Sequence, residues 1–192
     1  MNTPHKLIAL VLPVCLVAAC SQRSPATASA PAASGVADAA AGTPCDLLTD
    51  AEVRSVFPQA GSGKRNTESL QYGLDRCAWK AADGQIGIEV SKVEAAAFEG
   101  ELRAELQGTV DPLVQGALEQ IRFQPISGIG DHAIAVLEKA GAKRGVYADI
   151  SLLAIQRGHR MAVLMIHNAN ADAPLPTLDT LKNLGTALAA RL

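Results

Sequence analysis

The sequence predicts an α+β domain, a mainly antiparallel sheet of about five strands with three to four helices packed on it. Three observations carry that expectation. Ile86, Ile88 and Val90 alternate with Gly87, Glu89 and Ser91, which is the period of a strand with one buried face. The run Met161-Ala162-Val163-Leu164-Met165-Ile166 is apolar at every position, as a central strand covered on both sides requires. Leu178, Leu181, Leu184, Leu188 and Leu192 recur at helical spacing and form a stripe suited to lie on a sheet.

The chain opens on a stretch that reads as a secretory signal. His5 and Lys6 form a basic start, and residues 7–17 are uncharged, a run too short for a hydrocarbon core that needs ~20 residues. Val17-Ala18-Ala19-Cys20 then resembles a bacterial lipobox, in which the cysteine thiol takes a diacylglycerol before a peptidase cuts in front of it. The resemblance implies lipidation at Cys20 and removal of residues 1–19. Ser21 after the lipidated position, rather than Asp, implies passage to the outer membrane, facing the periplasm, if the cell is Gram-negative. Two or three chains at ~0.8 kcal/mol per buried CH₂ make such an anchor stable. An ordinary signal peptide cut after the same Ala-Ala pair is the alternative.

Residues 20–44 are almost wholly Ala, Ser, Pro, Gly and Thr. They hold nothing large enough to offset the entropy of ordering, so they read as a tether. Residues 45–192 are the size of one domain. The whole chain has 17 basic and 19 acidic residues, which leaves no cationic field for a nucleic-acid backbone. Of the four cysteines, Cys15 leaves with the signal and Cys20 takes lipid, so Cys45 and Cys77 remain for the domain. In an oxidising compartment two such thiols pair. The rival, a metal site, lacks further ligands at suitable spacing.

Taken in order, Thr49 and Glu52 fit a capping box, with Leu48 and Val53 as its staple, and open a helix over 50–57 ended by Pro58. Residues 59–69 read as loop. Gly61-Ser62-Gly63-Lys64 is no phosphate loop, because Pro58 stands at the first glycine position and Arg65 replaces Ser or Thr. Cys77-Ala78-Trp79-Lys80 reads as a strand, Asp83-Gly84 as a hairpin turn and 86–93 as the next strand. Phe98, Leu102 and Leu106 give a helix over 94–106 with Glu99, Glu101 and Glu105 outward. Pro112 opens a further helix to Ile121, with Leu113, Ala117 and Ile121 on one side. A glycine turn, Ser127-Gly128-Ile129-Gly130-Asp131-His132, leads into a strand over 133–138. Strands over 145–156 and 160–168 follow, with Val146, Ala148, Ile150, Leu152 and Ala154 sharing one face.

The opening Cys-Asp-Leu-Leu-Thr-x-Ala-Glu-Val, the Cys-x-Trp before a hairpin, the Gly-Ile-Gly-Asp turn and the late Arg-Gly hairpin together resemble a set of small bacterial lipoproteins of uncharacterised function. The resemblance implies a Cys45–Cys77 disulfide and an α+β domain. It transfers no catalytic residue.

Candidate chemistry is sparse. Ser127, Asp131 and His132 suggest a hydrolase, but Pro125 stands where a nucleophile elbow needs its first glycine. His132, His159 and His167 lack the spacing of a metal site. No cofactor is expected. Met161 and Met165 can adapt to a small apolar ligand held between sheet and helices, although ordinary core is the simpler role. The leading expectation is a lipid-anchored envelope lipoprotein with a disulfide-stapled, noncatalytic domain that engages an envelope protein. A carrier or sensor of a small apolar ligand is the alternative, and a hydrolase using Ser127 and His132 is the remaining one.

Overall fold

The computed structural model describes residues 42–113, 116–141 and 145–192, so Cys20 and the signal lie outside the described residues. Seven strands form one antiparallel sheet in the order β1-β2-β3-β7-β6-β5-β4: β1 (Lys64–Asn66), β2 (Asp75–Lys80), β3 (Gly84–Lys92), β4 (Gln124–Pro125), β5 (His132–Glu138), β6 (Ile150–Arg157) and β7 (Arg160–Asn168). Among the described residues four α-helices accompany it: α1 (Asp50–Arg54), α2 (Phe98–Leu106), α3 (Ala117–Gln120) and α4 (Leu178–Arg191). The class is α+β, with a sheet larger than the five strands expected. The two extra strands are the edges. Three-residue β1 falls within the polar 59–69 stretch read as loop, and two-residue β4 contains Pro125. Neither has an apolar period to reveal it.

β7 is the central strand, paired with β3 on one side and β6 on the other. Its alternating side chains enter two separate cores. Ala162, Leu164 and Ile166 join Trp79, Ile86, Ile88, Leu153 and Ile155 beneath α4 and the N-terminal segment. Met161 and Val163 join Phe98, Leu102, Leu106, Ile134 and Leu152 beneath α2. The expectation that β3 has a single buried face is therefore corrected: Glu89, on its second face, is 3% exposed, paired with Arg76 from β2.

The first core is tied at several points. Thr49 accepts from the Glu52 N–H while the Glu52 carboxylate accepts from the Thr49 N–H at 2.7 Å, the expected reciprocal cap. The helix it opens stops at Arg54, short of Phe57. Cys45 and Cys77 are joined in a disulfide, with Cα atoms 5.2 Å apart. Trp79 is 1% exposed, and its indole N–H donates to Asp50 at 2.9 Å, which satisfies the one polar atom that burial would otherwise strand. On α4, a Cβ at Gly185 would meet a Leu153 methyl, so the helix packs closely on the sheet there and a larger residue requires Leu153 to shift.

Two further expectations are corrected. The helix from Pro112 to Ile121 reduces to α3, because Gly116 takes a left-handed φ of 72° before it, and Leu113 is 90% exposed rather than on a buried side. The strand from 145 begins only at Ile150; Ala148 is exposed, and an isolated bridge pairs Val146 with Val110. Val146 nevertheless enters the second core. Among the described residues, no helix is long and apolar enough to cross a membrane.

Candidate functional site

The glycine turn that leads into β5 is the most constructed surface feature. Gly128 (φ 81°) and Gly130 (φ 62°) are both left-handed, which side chains disfavour. At Gly130 space is short as well, since a Cβ would lie 2.5 Å from the Gln156 carbonyl oxygen. The Asp131 N–H donates to that same carbonyl at 2.8 Å, and Asp131 Oδ2 accepts from the Gly158 N–H at 2.7 Å. The turn is thus fastened to the β6–β7 hairpin by one backbone bond and one side-chain bond.

A cleft of 560 Å³ separates this turn from the start of α2, with Ala95, Phe98, Glu99, Ser127, Asp131 and His132 in its lining. His132 is exposed, and its ring centroid is 6.3 Å from that of Phe98. Among the described residues no hydrogen bond joins Ser127 to His132, and the Asp131 carboxylate serves the hairpin turn. A catalytic triad needs the base bonded to both the nucleophile and an orienting carboxylate. The three residues share a cleft without that arrangement.

Beside His132, in direct cross-strand register, lies Gln156. It is 1% exposed, and its Nε2 donates to the Gly158 carbonyl at 2.9 Å. Its Oε1 is buried with no hydrogen-bond partner. Buried acceptors are satisfied in the great majority of native structures, which makes this amide oxygen an exception among the described residues.

A second cleft, of 690 Å³, lies at the opposite end of β5–β7 and includes Lys139, Tyr147, Asp149, Ser151, His167 and Asp172 in its lining. Lys139 Nζ donates to Asp149 at 2.7 Å and to the carbonyls of Ala171 and Ala173 at 2.8 and 2.7 Å. Burial pushes the Asp149 carboxyl up, but the Lys139 ammonium and the Ala140 N–H outweigh it and hold it below its ordinary value. All three donors of the ammonium are engaged, so this lysine straps the 169–176 loop to the sheet.

No protein-family model, curated protein or solved structure matches this chain. The arrangement of its own residues therefore carries the functional reading. Cys45 and Cys77 are together in the disulfide. The three histidines are not gathered with other ligands: among the described residues no group of three or more His, Cys, Asp or Glu is placed to hold a metal ion. His159 stands at the hairpin turn with Nδ1 3.4 Å from Glu94, and His167 is exposed near the end of β7. Met161 and Met165 pack in or against the second core. Gln156 escaped sequence reasoning because it continues an apolar run, 152–155, and nothing local distinguishes a buried amide from one at a strand end. Its place opposite His132 is set by the β5–β6 register, which no local pattern reveals.

Proposed function

We propose that this protein is a lipid-anchored cell-envelope lipoprotein whose domain binds rather than catalyses. The observation that carries the reading is the Cys45–Cys77 disulfide, in a domain that follows the Val17-Ala18-Ala19-Cys20 motif. A disulfide persists in an oxidising compartment, and the motif directs a chain to one. The two features are chemically independent and agree on the envelope. Lipid on Cys20 then supplies the membrane attachment, and residues 20–44 supply the reach. Commitment of Asp131 to the Gly158 N–H, rather than to His132, supports a binding role for the domain over hydrolysis.

The test is expression of the full chain and of Cys20→Ser in a Gram-negative host supplied with labelled palmitate. The intact chain incorporates label and fractionates with outer membranes after a carbonate wash, whereas Cys20→Ser takes no label and is recovered in the soluble fraction. Label-free wild type, or a Cys20→Ser protein that stays with membranes, overturns the anchor.

A further inference from the structure

The 690 Å³ cleft at the far end of β5–β7 holds a polar group that nothing in the chain answers. Ser151, the second residue of β6, is 4% exposed and belongs to the cleft lining. It stands opposite Leu137 and, by the alternation of the strand, on the same side of the sheet as Leu153. Among the described residues its hydroxyl has no hydrogen-bond partner. A hydroxyl sunk into a cleft wall without a partner of the protein's own takes one from the contents of the cleft, water or ligand.

The charged groups beside it are spent. Lys139 Nζ gives its three donors to Asp149 and to the Ala171 and Ala173 carbonyls, and Asp149 Oδ1 takes the Ala140 N–H. Lys139 thereby ties Asp149, two residues before Ser151, to the carbonyls that flank Asp172, and both Ser151 and Asp172 border the one cleft. Asp172 is exposed and has no ion-pair partner among the described residues. Lys139 is the only lysine or arginine in the described lining, so an anion meets no free one. His167, in its neutral form, adds one donor and one acceptor. Tyr147 completes the lining as a ring that is 58% exposed, its hydroxyl donating to Asp111 at 3.3 Å. The unspent groups are thus a hydroxyl, an imidazole, a carboxylate and an aromatic ring. An alcohol both donates and accepts, so a ring that carries several alcohols suits all three polar groups, and its C–H face suits the fourth.

We propose that this cleft binds a neutral pyranose sugar, with a hydroxyl of the sugar bonded to Ser151, another to Asp172, and the C–H face of the ring against Tyr147. The volume is that of an ordinary small-ligand site. The proposal rests on the reading of the domain as a binder and not on lipid at Cys20. A chain that takes no palmitate still binds sugar, so the two failures are separately visible.

The test is saturation-transfer NMR on the full chain in a polyoxyethylene detergent, which carries no sugar, with glucose, glucuronate and choline in turn. Signal passes to the glucose ring protons and saturates with concentration. Glucuronate, the same ring with a negative charge, binds about tenfold more weakly, as an anion set beside carboxylates does, and choline gives no saturable signal. Ser151→Ala unfolds at the wild-type urea midpoint or above it, because it deletes a hydroxyl with no partner in the protein. It binds glucose about fivefold more weakly, the scale of one neutral hydrogen bond. Tyr147→Ala, at an exposed position, also folds and loses about the same factor. Wild-type affinity in either variant, a response to glucuronate or choline equal to that of glucose, or no transfer to glucose overturns the proposal. So does a crystal grown in glucose in which only an ordered water meets Ser151 Oγ.

Discussion

The two faces of the sheet are both apolar and both covered, yet they are closed by different means. The face under α4 is cross-linked over long sequence distances. The disulfide joins Cys45 to Cys77, Trp79 reaches Asp50, and Arg191 near the chain's end pairs with Glu52 at 2.9 and 3.0 Å. Arg157 and Arg160 donate to the Ala189 and Leu192 carbonyls, which satisfies the orphan acceptors at the end of α4 and suits the negative end of its dipole. The face under α2 has a nine-residue helix whose N-cap, Ala97, offers no side-chain cap, and a four-residue α3. It also holds Glu89, Glu138 and Gln156, three of the four buried polar residues among the described residues. One face is tied across long sequence separations, and the other accommodates three buried polar side chains, of which Glu89 is paired with Arg76 and Glu138 accepts from the Arg122 N–H.

The strongest way to break that comparison is to remove the staple. Cys45→Ser with Cys77→Ser opens a loop whose ends are 32 residues apart. In the chain-entropy model this lowers unfolding free energy by about 3.5–4 kcal/mol, read as a fall in the urea midpoint. An unchanged midpoint removes the disulfide from the account of the first face. Matched truncations sharpen the contrast. Leu181 on α4 and Leu102 on α2 are both 0% exposed. Leu→Ala in a core costs roughly 2–5 kcal/mol depending on how far the site collapses. Leu181→Ala, under a tied helix, is expected near the top of that range, and Leu102→Ala, under a helix held at fewer points, near the bottom. Equal losses contradict the difference in rigidity.

That asymmetry was partly legible beforehand. The first face was written in repeating patterns: the capping box at Thr49, the alternation at Ile86 and the leucine stripe of α4 each announce an element and its buried side. The second face was legible at Phe98, Leu102 and Leu106, at Ala117 and Ile121, and in the shared face of Val146, Ile150, Leu152 and Ala154. Leu113 misled because apolar spacing after Pro112 suggested a helix face, while the left-handed Gly116 stops any helix there. Glu89 misled because alternation cannot tell a solvated polar face from one covered by a helix distant in sequence. The cleft at the glycine turn depends on β5–β6 register and on where α2 begins, and both are long-range facts. Its residues were visible as a motif, but the bond from the Gly158 N–H to the Asp131 carboxylate was not.

The tie between α1 and the end of α4 gives a smaller effect with a pH signature. The Arg191 guanidinium beside Glu52, against an opposing contribution from burial, lowers the carboxyl pKa from 4.5 to about 2. A carboxylate more acidic in the folded state contributes stability that is fully present above the unfolded value of 4.5 and is lost as pH falls through about 2. Arg191→Met is expected to cost about 1 kcal/mol near neutral pH, the scale of a partly exposed pair. The gap between its urea midpoint and that of the wild type then narrows on acidification through that window. A gap independent of pH means that Arg191 acts through its bond to the Leu47 carbonyl instead.

The second face has the opposite sign and the smallest effect. Glu105 on α2 is exposed as a residue, yet burial of its carboxyl and then the charge of Glu89 raise its pKa, with Arg76 opposing. A carboxyl that holds its proton more tightly when folded lowers stability at neutral pH. That penalty is relieved as pH falls through its raised folded value toward the unfolded 4.5. Glu105→Gln removes the penalty at neutral pH, and the gain is no more than about 0.5 kcal/mol, as for surface changes generally. The direction decides: a variant more stable than wild type at neutral pH, with the advantage fading in mild acid, sets α2 against α4, where the corresponding carboxylate substitution destabilises. A Glu105→Gln protein less stable than wild type at neutral pH means that the α2 face is held by its charges, as the α4 face is, and the contrast between the two fails at this position.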